Sequence, residues 1–175
     1  MILAARCPLV MIGAAGNRHR LVEPLSRFLA RTRIPFFNTQ MGKGAVTGVS
    51  DLYMGTAALS ERDYVHHAIE RADLIVSIGH DTIEKPPFFM RQQDQKVIHI
   101  GYVPANVAEV YYPHADAVGD LGPTMTHLSD ELEGQLPNAL PLPTLPAPVL
   151  SHLPAPAQPP CPPRPLSPAV PSAPP

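Results

Sequence analysis

Four small residues in a row, Gly13-Ala14-Ala15-Gly16, follow the apolar run Leu9-Val10-Met11-Ile12. A turn of that kind before a helix can aim backbone amides at a phosphate. It is neither a full GxGxxG fingerprint nor a lysine-bearing P-loop, so tight packing between strand and helix is an equal reading, with Asn17 and Arg18 on the side of the anion. Lys43, between Gly42 and Gly44, could touch the same phosphate, although a lone loop lysine is more simply solvated. His66 and His67 suggest a metal, but adjacent helical residues project about 100° apart and do not share one ion. Asp63 and His67 have helical i, i+4 spacing without a third ligand, so a solvated helix face is expected there rather than zinc. His80 and Asp81 end the clearest strand-like segment of the chain, where side chains can reach a ligand crevice. Neighbouring positions on an extended strand face opposite ways, which argues against a base and its orienting carboxylate. No serine or cysteine stands in a GxSxG-type elbow, and catalysis by this chain alone is not expected.

The elements that must position these residues alternate between strand and helix. Residues 9–12 read as a buried parallel strand, and residues 18–32, with Leu21, Leu25, Phe28 and Leu29 at spacings of three and four, as an amphipathic helix. Residues 36–38 read as a second strand, 39–49 as a glycine-rich loop, and 52–54 as a short third strand. Ser60 is a plausible N-cap for a helix through Tyr64 to Ala72. Residues 74–78 and 97–100 are further strands, Ala117-Val118 a short last one, and residues 124–132 the closing helix. Residues 1–6 read as the last turn of a helix. Five or six strands separated by helices or crossovers predict a doubly wound, parallel, three-layer α/β sheet of the Rossmann type. Ligands of such sheets lie beyond the carboxyl ends of the strands. That rule gathers Gly13, Ala14, Gly16, Gly42, Gly79, His80, Asp81, Gly101 and Asp120 on one rim as candidate nucleotide-binding residues.

The pattern stops near Leu136. Of 24 prolines, sixteen lie in residues 137–175, where Arg164 is the only formally charged side chain. Proline lacks the N–H donor and fixes φ, so a folded domain over residues 1–135 and a disordered proline-rich tail over 136–175 are expected. The tail is a solvated linker, a sequence not selected for structure, or a polyproline II ligand, since Pro159-Pro160 and residues 162–165 offer P-x-x-P spacings. Net charge is −2 with scattered basic residues, which gives neither nucleic acid nor an anionic membrane its electrostatic footprint. No apolar run is long enough to span a bilayer and no signal peptide is visible. Cys7 and Cys161 are too unlike in setting to suggest a disulfide framework, and a cytoplasmic location is expected.

The succession PLVMIG with its glycine turn, RTRIPFFNTQMGKGAV, LYMG, ADLIVSIG, VIHIG and ADAVGD resembles the central domain of thiamine-diphosphate-dependent enzymes, in particular the large catalytic subunit of acetolactate synthase. The resemblance covers residues 5–132. It implies a six-stranded Rossmann-like domain set between two catalytic domains, which use thiamine diphosphate and Mg2+ to decarboxylate pyruvate and transfer its two-carbon unit in branched-chain amino acid biosynthesis. It further implies that Gly13, Thr39, Gly55, Gly79 and Asp120 line a crevice that holds the ADP part of FAD in acetolactate synthases. Two departures weigh against FAD here: the glycine-rich segment after LYMG reads Thr56-Ala57-Ala58-Leu59-Ser60-Glu61, and the arginine-bearing turn reads Gly79-His80-Asp81-Thr82-Ile83-Glu84-Lys85. Neither the thiamine-activating glutamate nor a GDG-type magnesium motif is found. The expected role is thus a truncated central domain, non-catalytic alone, with other domains or subunits of such an enzyme, or copies of itself, as partners. A free-standing module for FAD, NAD or ADP and a proline-rich interaction protein are the alternatives.

Overall fold

In the computed structural model, which describes residues 1–46, 51–57, 64–81, 84, 95–105 and 113–136, parallel strands form a single sheet in the order β3-β2-β1-β4-β5-β6. The strands are β1 (Pro8–Ile12), β2 (Phe36–Thr39), β3 (Tyr53–Ala57), β4 (Leu74–Ile78), β5 (Lys96–Gly101) and β6 (Ala115–Val118), and the helices α1 (Val22–Thr32), α2 (Tyr64–Arg71) and α3 (Leu121–Glu131). The proline-rich residues 137–175 and the proposed N-cap Ser60 lie outside the described residues.

The continuous apolar runs of β1 and β4 are buried at every position, as central parallel strands covered on both faces must be. Alternation divides them between two cores. Val10, Ile12, Leu74, Val76 and Ile78 meet Leu21, Leu25 and Phe28 of the α1 region and Leu121 and Met125 of α3. Leu9, Met11, Ile75 and Val97 meet Val65, Ala68, Ile69 and Ala72 of the α2 region on the other face. Each such side chain taken fully from water contributes about 1.5–3 kcal/mol before entropy is counted. Asp73 fixes the entry to β1, its carboxylate accepting from the amides of Arg6 at 2.8 Å and Cys7 at 2.9 Å. Cys7 is buried.

Helix α1 begins later than its periodicity predicts. Residues Ala14–Asn17 and His19–Leu21 are separate 3-10 turns, divided by an extended Arg18 (φ −69°, ψ 128°). Pro24 then falls at the third position of α1, where a missing N–H costs nothing. Arg33 ends the helix in the left-handed region (φ 54°), its amide donating to the Leu29 carbonyl at 3.0 Å. Helix α3 starts earlier than predicted because Asp120 caps it, Oδ1 accepting from the Gly122 amide at 3.2 Å.

Candidate functional site

Reversal of strand order between β1 and β4 places a crevice at their carboxyl ends. The glycine turn after β1 stands on one side of it and residues 79–81 on the other. The amides of the turn are committed inside the domain: Gly13 donates to the Ile78 carbonyl at 2.9 Å, Ala15 to the Gly79 carbonyl at 3.0 Å and Gly16 to the Gly13 carbonyl at 2.9 Å. Ala14 donates to Glu84 Oε1 at 2.8 Å.

Glu84 is the centre of this arrangement and is buried. Its Oε1 also accepts from the Asp81 amide at 3.0 Å. The other carboxylate oxygen, Oε2, accepts from the Thr39 hydroxyl, which in turn accepts from the Gly42 amide at 3.0 Å. One carboxylate thereby ties together the ends of β1, β2 and β4. A Cβ on Gly13 would lie 2.4 Å from His80 Cα and 2.7 Å from Glu84 Oε1, and one on Gly42 would lie 2.1 Å from the Ile12 carbonyl oxygen. These two glycines are required by close approach of the chain to itself.

Sequence reasoning quoted Glu84 only as part of the altered turn and gave it no role. Its signal is the Asp81-Thr82-Ile83-Glu84 spacing, in which an acidic side chain three residues on can reach back to the first residue's amide. The structure shows that reach, with the Glu84 amide donating to the Asp81 carbonyl at 3.0 Å in return.

His80 and Asp81 lie past the end of β4, beyond the positive φ of Gly79, with His80 buried and Asp81 exposed. Among the described residues, neither ring nitrogen of His80 has a hydrogen-bond partner. Burial pushes its imidazole below the ordinary 6.5, opposed by the Glu84 carboxylate, assisted by His99 and opposed again by Asp81.

The other candidates lie apart from the Glu84 bonds. Gly16 packs on the Ile12 side chain, Gly55 lies within β3 beside a shift of register against β2, and the Gly101 carbonyl accepts from the Gly119 amide at 2.9 Å. Besides capping α3, Asp120 lies 3.7 Å from Arg20, and Arg18 and Arg20 flank the Tyr102 ring at 4.5 and 5.9 Å. Lys43 is exposed, and His67 pairs with Glu70 at 3.3 Å. His66 corrects the expectation of a solvated face, being buried beside Val65.

Among the described residues no three His, Cys, Asp or Glu side chains are placed to hold a metal ion, so Mg2+ has no fit here, and no described residue is placed by these contacts to hold thiamine diphosphate. The diphosphate of FAD does not fit the crest either, since its donors are bonded to Glu84 or to backbone carbonyls. No helix among the described residues is long and apolar enough to cross a membrane.

Comparison with known proteins agrees with this architecture. The chain is 27% identical over 132 residues to an acetolactate synthase of Bacillus subtilis, covering 74% of this chain and 23% of that protein. It is 34% identical over 83 residues to a pyruvate decarboxylase of Candida glabrata, covering 45% and 14% respectively. A solved structure described as a thiamin diphosphate-dependent enzyme from Mycobacterium smegmatis superposes with a TM-score of 0.62 at 20% identity, over 82% of this chain and 28% of that one. The chain spans about a quarter of the length of the acetolactate synthases it matches. Residues 1–128 match the family described as thiamine pyrophosphate enzyme, central domain, and with its six-stranded parallel sheet this chain belongs to that family.

Proposed function

We propose that this domain acts as the structural centre of an acetolactate-synthase-like enzyme and is non-catalytic by itself. Its partners are the thiamine-binding domains or subunits of such an enzyme, which supply thiamine diphosphate, Mg2+ and the chemistry of pyruvate decarboxylation and carboligation. The observation that supports the reading is the commitment of the crevice: the turn amides, the Thr39 hydroxyl and the Glu84 carboxylate bond to one another, which makes this rim a clasp between strands. The similarity to acetolactate synthase over 74% of the chain supports the choice within the family.

A domain exchange tests it. Residues 1–135 replace the central domain of the Bacillus subtilis acetolactate synthase, and acetolactate formation from pyruvate is measured with thiamine diphosphate and Mg2+. The chimaera is expected to turn over and the 175-residue chain alone to be inactive. Turnover by the chain alone, or a folded and assembled chimaera without activity, would overturn the reading.

A further inference from the structure

The Glu84 carboxylate occupies the position that an anionic ligand takes in a doubly wound sheet. That position is defined by three features: the switch point between β1 and β4, a glycine close enough for backbone approach, and converging N–H and O–H donors. All three converge on Glu84. The switch point is bounded by the ends of β1 and β4. The place where a Cβ on Gly13 would project is 2.7 Å from Glu84 Oε1. The donors are the Ala14 amide at 2.8 Å, the Asp81 amide at 3.0 Å and the Thr39 hydroxyl.

We propose that Glu84 is a built-in substitute for a ligand phosphate and the residue that decides what this crevice admits. While its carboxylate holds the three donors, an incoming diphosphate must displace a bonded anion and bear its repulsion at short range. With the carboxylate removed, the same donors form an anion site that accepts pyrophosphate or the diphosphate of ADP. The inference does not depend on the proposed enzyme: it concerns a dinucleotide-type crest closed by its own chain, and it holds or fails whether or not the domain supports acetolactate formation.

The test uses the full chain, with inorganic pyrophosphate and ADP as probes in titration calorimetry. The unaltered protein is expected to bind neither at millimolar concentration. Glu84→Ala is expected to gain pyrophosphate affinity by at least about tenfold, the scale of one charge-assisted hydrogen bond. Glu84→Gln, which keeps the shape and loses the charge, is expected to fall between them. Equal binding by the unaltered protein and Glu84→Ala, or a folded Glu84→Ala that binds nothing, would overturn the proposal. Should Glu84→Ala not fold, Glu84→Gln and amide NMR decide: at neutral pH pyrophosphate is expected to leave the Ala14 and Asp81 resonances of the unaltered chain in place and to move them in Glu84→Gln. Movement of both in the unaltered chain, or of neither in a folded Glu84→Gln, would overturn it.

Discussion

Glu84 Oε1 accepts a hydrogen bond from the Ala14 amide at 2.8 Å, across 70 positions of sequence. The second carboxylate oxygen accepts from the Thr39 hydroxyl, so one side chain braces three parallel strands whose own ladders end just below it. Parallel strands are joined only through long crossovers, and a bond between their free ends limits how far those ends can splay.

Removing that brace has a measurable cost. In Glu84→Ala the buried Thr39 hydroxyl and the part-buried Ala14 and Asp81 amides lose their acceptor, and leaving such groups unpaired costs about 2–4 kcal/mol in sum. Thr39→Val is expected to cost about 1–2 kcal/mol, since the Gly42 amide loses its acceptor as well. In the double variant the two losses are expected not to add, with a coupling of about 1 kcal/mol by urea unfolding. Simple additivity would mean that the bonds act independently.

Acid should weaken the fold through His80. Burial, with a contribution from His99, sets the folded pKa of this imidazole below its ordinary 6.5. The unfolded state then binds the proton more readily, and stability rises with pH wherever that is so. The contribution is fully present above 6.5 and is lost as pH falls from there toward the depressed folded value, below which the slope vanishes. Urea unfolding between about pH 5 and 8 is expected to show this slope, and His80→Gln to reduce it. An unchanged slope in the variant would assign the dependence to another group.

The sheet was legible in the sequence because β1 and β4 are unbroken apolar runs, a pattern that burial on both faces produces directly. Gly13 and Gly42 were legible as points of close approach, but what approaches them is not written in local sequence: Glu84 and the His80 backbone at the first, the Ile12 carbonyl at the second. The phosphate reading of the glycine turn assumed a helix beginning at its end. The intervening 3-10 turns, with α1 delayed to Val22, follow from amides already bonded to β4 and to Glu84. His66 was misjudged because a hydrophobic period treats every histidine as polar, whereas an imidazole beside Val65 can be enclosed.

Asp120 offers a separation of two roles. As the cap of α3 it accepts from the Gly122 amide at 3.2 Å, and replacing a capping aspartate by alanine costs about 1 kcal/mol. Asp120→Asn keeps the acceptor and should stay close to the unaltered protein in stability, because Asn caps nearly as well and the exposed Arg20 pair at 3.7 Å is weak. Chemical denaturation of the two variants checks this. An Asn variant as damaged as the Ala variant would show that the charge, not the cap, is what this position supplies.

Gly42 is the most stringent position at the crest. A Cβ there would stand 2.1 Å from the Ile12 carbonyl oxygen and 3.0 Å from that of Gly13, and both are backbone atoms that cannot swing aside. Gly42→Ala must therefore move the loop away from the end of β1, lengthening the bond from the Gly42 amide to the Thr39 hydroxyl and loosening the hold of that hydroxyl on Glu84. Overpacking against rigid neighbours costs about 1–3 kcal/mol, and loss of the attached bond adds about 1 kcal/mol. Gly44, by contrast, has among the described residues only the Asn17 side chain near its Cβ position, at 3.9 Å, and its constraint is a positive φ of 93°. Gly44→Ala is therefore expected to strain its own backbone without disturbing the clasp. Amide exchange distinguishes the two: Gly42→Ala should lower protection at Ala14 and Asp81, and Gly44→Ala should leave both protected.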